Sequence, residues 1–491
     1  MQPMKETFNA RLSFPAYRHT KIIATLGPAS ADRNTLRRMM IAGMDIIRLN
    51  LSHGSFEAHE HLVSTIRCIS EEIGKHIAIL ADIPGQKLRI TSLSEEHLQV
   101  HIGETIRLTT SGVKRSSNTQ NIPATHTIEI GPPDYLADVL PRDIILLKDG
   151  AVILSVLSVD ESGIHTTVTQ GGILTPGAGV IFPNKKRNVP FINSHFSKAC
   201  LFAASLNPDY LALSFVESGE DIIAARELLQ SNKYEIPLIA KIESSTAVRN
   251  AEDIMTHADG IMIARGDLGV AMPLEQIPHI QKQLIKKATL CEIPIITATE
   301  MLESMVQKSR PTRAEVTDVA NAIIDGTDCV MLSAETSIGV DPVQAVRTMA
   351  AISSETDKHM PLNQTPARKD ECRHVSVLVS HAARVIADMT AVAIIAYTRS
   401  GMTARTISHE RPSVPIFAIT PDDAIARRVL LYRGVFPSTR PAVETYEELI
   451  TAARDLMDLT GIGKKGEHVV ILSGNTKGET GHTNTLKVEQ L

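Results

Sequence analysis

Eight short aliphatic runs constrain the fold of this chain more than any other feature of its sequence. Each run is apolar on both faces until its last residues, where polar or charged side chains appear, a pattern typical of parallel strands buried on both sides. The runs are TKIIATLG (20–27), MDIIRLNLS (44–52), HIAILAD (76–82), YLALSFV (210–216), LIAKIE (238–243), GIMIARGD (260–267), PIITAT (294–299) and CVMLSAE (329–335).

The spacing of these runs predicts how the strands are connected. Consecutive runs end 24 to 36 residues apart, which leaves room for one helix and two loops, and segments such as SGEDIIAARELLQSN (218–232) have helical periodicity. The exception is a gap of 134 residues between Asp82 and Val216. Eight strand–helix units with one long interruption predict an α/β fold, a (β/α)8 TIM barrel with a domain inserted after strand 3. A doubly wound open sheet is the alternative.

Two changes of sequence texture predict further domains. The insertion is rich in Thr, Val and Ile, and LLKDGAVIL (146–154) is a hairpin signal, because Asp149-Gly150 suits a tight turn. After a polar stretch, PLNQTPARKDECRH (361–374), helical and strand-like segments alternate again. We therefore predict an N-terminal segment (1–18), a catalytic barrel (19–86 and 185–355), an all-β lid domain, barrel-like in form (87–184), and a C-terminal α/β regulatory domain (356–491).

Composition excludes several functional classes. The longest apolar runs are shorter than a membrane span, and the N-terminal segment lacks an apolar signal region, so we expect a cytoplasmic protein without membrane association. A net charge of −5, 3% aromatic residues and the lack of a Lys/Arg block argue against nucleic-acid binding. Five scattered cysteines are interpreted as reduced thiols: Cys68, Cys200, Cys291, Cys329 and Cys372.

Polar residues at the ends of the predicted strands indicate an active site, because the carboxyl ends of barrel strands build it in this fold. Several are i, i+2 pairs that share a face of their strand. A structural network of neutralised charges is the alternative, but buried ion pairs stabilise only weakly, and here at least four strands deliver charge to one rim. The residues are Arg48, Asn50, Ser52, Asp82, Lys241, Glu243, Arg265, Asp267, Thr297, Thr299, Ser333 and Glu335.

The types of these residues point to phosphoryl transfer. Two carboxylates from adjacent strands, Glu243 and Asp267, suit Mg²⁺ or Mn²⁺ better than zinc. Arg48 and Lys241 then need an anionic partner, which a phosphorylated carboxylic acid would supply, and at Gly266 the backbone N–H groups can approach an anion closely. Such a rim supplies the positioning and charge neutralisation that phosphoryl transfer requires.

Two other functional classes remain open at this stage. A lyase or aldolase would use Lys241 as a Schiff base, but the neighbouring Glu243 raises the pKa of an ammonium and so disfavours a lysine nucleophile. A catalytically dead regulator or scaffold would be expected to have lost Lys241, Glu243 or Asp267, and all three are present.

Six longer stretches carry a resemblance to a known family: TKIIATLGPAS (20–30), AGMDIIRLNLSHG (42–54), KIES (241–244), DGIMIARGDLGV (259–270), ATEMLESM (298–305) and RPTRAEVTDVANAIIDGTDCVMLSAET (310–336). In them the chain resembles pyruvate kinase along nearly its whole length. The resemblance implies phosphoryl transfer between phosphoenolpyruvate and ADP, giving pyruvate and ATP in the last step of glycolysis. It also implies a Mg²⁺ or Mn²⁺ requirement and a homotetramer.

The resemblance further implies a role for each matched position. The substrate and catalytic positions are Arg48 and Lys241 for the phosphoryl group, the backbone of Gly266 and Asp267 for the substrate carboxylate, and Thr299 as a further substrate contact. Glu243 and Asp267 match the divalent-metal ligands. The nucleotide side comprises Asn50, Leu51, Ser52, His53 and Arg89. The family's monovalent-cation site matches Asn50, Ser52, Asp82 and Ile83.

The chain departs from the family at the segment DIPGQKLR (82–89), where the family usually has DTKGPEIR. Lys87 replaces a glutamate there. Because a tethered ammonium can supply the positive charge that K⁺ otherwise brings, we hypothesise that Lys87 substitutes for K⁺. The alternative is that Lys87 points to solvent.

Three smaller departures bear on nucleotide preference and rate, not on the type of reaction. A lysine tied to nucleotide binding in the family is replaced by Ala178, for which Lys185 or Lys186 is a candidate substitute. The family's ATQM is ATEM here, with Glu300 beside Thr299, and its SGETAKG is SAETSIG, with Ile338.

The C-terminal domain contains a candidate effector loop. The segment YTRSGMTA (397–404) follows a predicted strand and opens a helix, so that Thr398, Ser400, Gly401 and Thr403 can surround a phosphate. In the family this loop, which includes Arg399 here, holds a phosphorylated allosteric effector. Ordinary N-capping is the alternative.

The Lys87 hypothesis predicts that the chain is active when a tetraalkylammonium ion is the only monovalent cation, because the lysine supplies the charge locally. Turnover measured in that buffer should match turnover after addition of KCl. A collapse of activity that KCl restores would reject the hypothesis.

Overall fold

Eight parallel strands close into a barrel in this computed structural model, which describes residues 18–85, 87–110, 124–131, 139–148, 150–183, 190–360, 374–474 and 483–491. Numbered along the chain, its strands are β1 (Lys21–Thr25), β2 (Ile46–Asn50), β3 (Ala78–Ile83), β13 (Tyr210–Leu213), β14 (Leu238–Ile242), β15 (Gly260–Ala264), β16 (Ile295–Ala298) and β17 (Cys329–Leu332). Their order around the barrel is β1-β17-β16-β15-β14-β13-β3-β2. Each strand coincides with one of the eight aliphatic runs, with β3 extending one residue beyond its run, so the barrel prediction is confirmed and the doubly wound sheet is excluded.

Helices alternate with these strands, as the spacing predicts. They are α1 (Arg33–Ala42), α2 (Phe56–Ile73), α3 (Ser194–Ser205), α4 (Gly219–Ser231), α5 (Ser245–Arg249), α6 (Ala251–His257), α7 (Arg265–Ala271), α8 (Ile277–Leu290), α9 (Arg313–Asp325), α10 (Ala334–Ser337) and α11 (Pro342–Lys358), with short 3-10 helices at Leu274–Gln276 and Glu303–Val306. Helix α9 shows how sequence sets such bounds. It begins at a capping box between Thr312 and Glu315 and ends at Gly326, whose φ of 106° suits glycine.

The barrel core is aliphatic, as the low aromatic content requires. Every residue of β1, β13, β14, β15, β16 and β17 is buried, and the side chains around β13 to β16 form one continuous cluster of Ile, Leu, Val, Ala and Met with few aromatics. Each fully buried Ile or Leu contributes about 1.5–3 kcal/mol. This rigid core fixes the strand ends that carry the charged residues.

The described residues between 87 and 183 form strands and turns without a helix, as expected of an all-β insertion. The strands are β4 (Arg89–Ser92), β5 (Leu98–Val100), β6 (Thr105–Thr110), β7 (His126–Gly131), β8 (Ile144–Leu147), β9 (Val152–Asp160), β10 (Gly163–Gln170), β11 (Gly172–Leu174) and β12 (Val180–Ile181). Seven follow the order β12-β8-β9-β10-β6-β7-β4, and β11 pairs with β5. An isolated antiparallel bridge pairs Arg89 of β4, the last strand of this order, with Gly179, which directly precedes β12, the first.

The predicted hairpin is present in the insertion. Strands β8 and β9 are antiparallel, with Leu147 opposite Val152. Gly150 in the turn has a φ of 84°. Asp149 lies outside the described residues.

The C-terminal part contains a five-stranded sheet with helices, in agreement with the predicted α/β segments. The strands are β18 (Ala391–Tyr397), β19 (Ile416–Thr420), β20 (Val435–Thr439), β21 (His468–Gly474) and β22 (Thr483–Gln490), in the order β20-β19-β18-β21-β22. The helices are α12 (Val375–Thr390), α13 (Met402–His409), α14 (Asp423–Arg428) and α15 (Tyr446–Thr460), with a 3-10 helix at Val429–Leu431. Only β22 runs antiparallel to its neighbour.

Contacts along the chain group the residues into two compact units. One takes in the described residues of Met1–Ile47, Ile66–Ala78 and Met301–Leu491, and the other those of Arg48–Thr65 and Ile79–Glu300. These bounds differ from those of the predicted domains, which remain predictions. Among the described helices, none combines the length and the hydropathy that crossing a bilayer requires.

Candidate active site

Three charged side chains meet at the carboxyl ends of β2, β3 and β14. Arg48 donates through Nε and Nη2 to Asp82 Oδ2, both at 2.7 Å. Lys241 Nζ donates to the other oxygen, Asp82 Oδ1, at 3.2 Å. Asp82 is only 2% exposed, so one buried carboxylate holds two cations side by side.

The neighbours of this cluster fix its charge states. Burial alone would raise the pKa of Asp82, but Lys241 and Arg48 outweigh it and lower that pKa below its usual value. Burial would lower the pKa of Lys241, but Asp82 and Glu243 outweigh it and raise that pKa. Lys241 therefore remains an ammonium, which disfavours the Schiff base of the aldolase alternative.

Glu243 follows β14 and faces the same ammonium. Its Oε2 accepts a hydrogen bond from Phe215 N–H at 2.7 Å. Its Oε1 lies 2.9 Å from Lys241 Nζ in an ion pair, yet this buried atom has no hydrogen bond of good geometry among the described residues. Burial raises the pKa of Glu243, Lys241 opposes that rise, and Asp267 and Asp82 add to it. Burial, with Asp267 and Asp82, therefore disfavours the charged form of Glu243 despite Lys241, and an additional cation would stabilise that charged form.

Two residues that the sequence did not single out hold Lys241 and Glu243. Ser214 Oγ accepts a hydrogen bond from Lys241 Nζ at 2.8 Å and donates to the Ile83 carbonyl at 2.9 Å. Phe215 turns its N–H toward Glu243 with a left-handed φ of 55°. Both residues belong to the run YLALSFV, which reads as one strand, whereas β13 ends at Leu213.

Asp267 and Gly266 lie in the first turn of α7, one element beyond the strand on which the sequence placed them. Lys87 Nζ pairs with Asp267 Oδ1 at 2.6 Å. Gly266 N–H donates to Thr299 Oγ1 at 2.7 Å, so the amide predicted to meet an anion is bonded to the predicted substrate contact. The structure therefore brings Gly266, Asp267 and Thr299 together, with Lys87 beside them.

Arg265 holds the turn that carries Thr299. Its Nη2 donates to the carbonyls of Thr299 at 2.8 Å and Glu300 at 3.2 Å. Thr299 and Glu300 have left-handed φ values of 66° and 53°. A non-glycine residue in this region costs on the order of 1–2 kcal/mol. The Arg265 guanidinium offsets this strain. The position of Arg265 at a strand end in the sequence does not indicate this role.

The residues predicted for the nucleotide fall in two places. Leu51 N–H donates to the Asp82 carbonyl at 3.1 Å, which places the turn after β2 beside the cluster. In the same turn Ser52 N–H donates to Asn50 Oδ1 at 3.2 Å, and the His53 carbonyl lies 2.8 Å from His59 Nε2.

Arg89 lies in the insertion and makes no contact with the charge cluster among the described residues. It is exposed on β4 and donates to the Gly177 carbonyl at 2.8 Å. The neighbouring Ala178 accepts a hydrogen bond from Ile90 N–H at 2.9 Å. Lys185 and Lys186 lie outside the described residues.

Two of the strand-end residues serve the fold. Glu335 is fully buried, with Oε1 accepting from Leu302 N–H at 2.9 Å and Oε2 from Ser333 N–H at 2.6 Å. Thr297 is fully buried within β16.

The exposed Ile338 lies just after α10.

In the effector loop, Gly401 N–H donates to Thr398 Oγ1 at 2.9 Å, with a φ of 86° at Gly401. Thr403 Oγ1 lies 2.8 Å from Thr483 Oγ1, while Arg399 and Ser400 are exposed. Helix α13 has Gly401 as its N-cap and no side-chain capping hydrogen bond, so the Thr398 hydroxyl closes the turn before the helix.

A closed (β/α)8 barrel with clustered charges at the carboxyl ends of its strands defines the protein as an enzyme of the TIM-barrel class. The family model described as "Pyruvate kinase, barrel domain" matches residues 17–346, and "Pyruvate kinase, alpha/beta domain" matches residues 377–489. The chain belongs to the pyruvate kinase family.

Curated relatives match over almost the whole chain. A protein named "Pyruvate kinase" from Geobacillus stearothermophilus is 39% identical over 477 residues, which are 96% of this chain and 80% of the relative. Proteins of the same name from Thermococcus litoralis and Agrobacterium vitis are 36% and 38% identical, over 98% and 96% of this chain and 100% and 98% of the relatives.

The contacts of Ser214 predict that Ser214→Ala lowers kcat by about tenfold, because a hydrogen bond to a charged group contributes about 1.5–3 kcal/mol. Steady-state kinetics and the melting temperature should be measured together. Ser205→Ala is the matched control, since that exposed hydroxyl donates to the Phe202 carbonyl within its own helix. Wild-type kcat in a stable Ser214→Ala variant would contradict a positioning role.

Proposed function

We propose that this chain transfers the phosphoryl group of phosphoenolpyruvate to ADP, giving pyruvate and ATP. Membership of the pyruvate kinase family supports the reaction. The structural observation that carries the proposal is the buried Asp82 carboxylate, which holds Arg48 and Lys241 together next to Glu243.

In this proposal Arg48 and Lys241 bind the phosphoryl group. Asp82 orients the Arg48 guanidinium through Nε and Nη2. The raised pKa of Lys241, which results from Asp82 and Glu243 outweighing burial, keeps an ammonium where negative charge migrates. Phosphoryl transfer needs positioned charge more than covalent participation, and these two side chains supply positive charge at the transferring group.

Glu243 and Asp267 are proposed to hold Mg²⁺ or Mn²⁺. The donor set fits a hard cation, because both ligands are carboxylates. Burial, together with Asp267 and Asp82, raises the pKa of Glu243, so a nearby cation would stabilise its charged form. Among the described residues Glu243 Oε1 also lacks a well-aligned hydrogen bond. Within those residues no group of three or more His, Cys, Asp and Glu forms a metal site, which fits an ion completed by substrate oxygens and water. When bound, the ion neutralises charge on the phosphoryl oxygens.

The other predicted positions complete the proposed site. Thr299, with the backbone of Gly266 and Asp267, is proposed to contact the substrate carboxylate, and the contact of 2.7 Å between Gly266 N–H and Thr299 Oγ1 supports a shared location. The turn from Asn50 to His53 and Arg89 are proposed for the nucleotide.

We also propose that Lys87 removes the need for K⁺. Three residues that match the family's monovalent-cation ligands already accept hydrogen bonds within the chain. Asn50 Oδ1 accepts from Ser52 N–H, and the Ile83 carbonyl accepts from Ser214 Oγ. The Asp82 carboxylate accepts from Arg48 and Lys241. Lys87 is partly exposed but ion-paired at this rim, so its charge is available near the substrate.

Lys241→Met is expected to lower kcat by about 1,000-fold or more, with a KM for phosphoenolpyruvate within about tenfold of wild type, because the charge acts mainly in the transition state. The assay couples pyruvate formation to lactate dehydrogenase and varies ADP and Mg²⁺. Lys287→Met is the control, because that lysine pairs with Glu252 on the helices. Pyruvate formation without ADP would favour a lyase, and an inactive wild type would favour a scaffold.

A phosphorylated effector is proposed to bind the loop from Thr398 to Thr403, in a homotetramer. Activity curves should shift with at least one member of a panel of sugar phosphates and AMP, and the shift should be lost in Ser400→Ala. Flat curves across the panel would contradict the effector proposal.

Light scattering tests the tetramer, since a mass near that of one 53.4 kDa chain would exclude it.

A further inference from the structure

Lys87 makes a defined set of contacts beside the proposed metal site. Its Nζ lies 2.6 Å from Asp267 Oδ1, and it also lies 5.1 Å from the centre of the Phe215 ring. The Phe215 backbone in turn donates to Glu243 Oε2 at 2.7 Å. One lysine therefore bonds one carboxylate of the pair and packs on the residue that orients the other.

The surroundings of Phe215 make this arrangement specific. A Cβ atom on Gly85 would lie 2.3 Å from Phe215 Cδ2, so the ring packs directly on the Gly85 backbone, two residues before Lys87. Phe215 also keeps a left-handed φ of 55°, a conformation that surrounding contacts must stabilise. The ammonium is thus held against Asp267 by the ring as well as by the carboxylate.

We propose that Lys87 is a tethered competitor of the divalent cation at Asp267, so that the chain binds Mg²⁺ or Mn²⁺ more weakly than its two carboxylates alone would. This inference rests on the proposed function, in which Glu243 and Asp267 hold the ion. An ammonium at 2.6 Å occupies one lone-pair direction of Oδ1, and its positive charge repels a second cation that approaches the same carboxylate.

The size of the competition follows from exposure. The side chains of Lys87 and Asp267 are 35% and 27% exposed, so water screens their attraction. A divalent cation can therefore displace the Lys87 ammonium from Asp267. The ion pair is nevertheless strong enough to reduce the affinity of the site for that cation. We expect about two- to fivefold tighter Mn²⁺ binding when the ammonium is removed.

The direct test is Mn²⁺ titration of the full chain, with free Mn²⁺ followed by electron paramagnetic resonance in the absence of substrate. Lys87→Met should bind Mn²⁺ more tightly by the factor given above, whereas Lys87→Arg, which keeps the charge, should stay near wild type. Lys287→Met is a matched control: Lys287 is 36% exposed and pairs with Glu252 at 3.0 Å. Equal or weaker binding by Lys87→Met, or an equal gain in Lys287→Met, would overturn the proposal.

A second readout uses the wild-type chain and does not depend on a folded variant. Brief acetic anhydride labelling, quantified by mass spectrometry, should modify Lys87 faster at saturating Mn²⁺ than without it, because the displaced amine loses its carboxylate partner. Labelling of Lys287 in the same digest should not change. A Lys87 rate that Mn²⁺ leaves unaltered would contradict displacement.

Two further variants separate this inference from the function on which it rests. Glu243→Gln and Asp267→Asn should each weaken Mn²⁺ binding. If both bind Mn²⁺ like wild type, the metal site of the proposed function is wrong. If both lose affinity while Lys87→Met binds like wild type, the metal site stands and only the competition fails.

Discussion

The carboxylate of Asp82 is the interaction on which the rest of the rim depends. It is almost fully buried, it is the second-last residue of β3, and it holds Arg48 on one oxygen and Lys241 on the other. The buried Lys241 and the largely buried Arg48 would otherwise repel each other in a medium of low dielectric constant. Removing one member of such a buried set typically costs about 3–5 kcal/mol, because the remaining charges lose their partner. The barrel provides the rigidity that makes this arrangement possible.

Backbone strain concentrates around the same charges. Phe215, Thr299 and Glu300 all adopt left-handed φ values, and each conformation positions a group of the site. Phe215 directs an N–H to Glu243, and the turn at Thr299 brings a hydroxyl to Gly266. The conformational strain of these turns is offset by specific hydrogen bonds, such as those that Arg265 donates to the carbonyls of Thr299 and Glu300. The site therefore combines a rigid barrel with a few strained turns at its rim.

The barrel could be predicted because eight doubly buried parallel strands leave a regular aliphatic pattern, although that pattern also allowed an open sheet. The rim charges could be predicted because they follow those strands. The partners of the charges could not. Ser214 and Phe215 read as strand residues, since nothing local marks the end of β13 at Leu213. Lys87 pairs with Asp267, 180 residues away, a contact that only tertiary packing determines. The sequence likewise placed Asp267 on a strand, whereas it lies in α7, because helix α7 begins immediately after Ala264.

Diffraction at the manganese absorption edge, from crystals grown with Mn²⁺ and phosphoenolpyruvate, tests the central account most directly. The account predicts one strong anomalous peak between the carboxylates of Glu243 and Asp267, with the substrate phosphate contacting Arg48 and Lys241. A peak elsewhere, or a phosphate remote from Lys241, would contradict it.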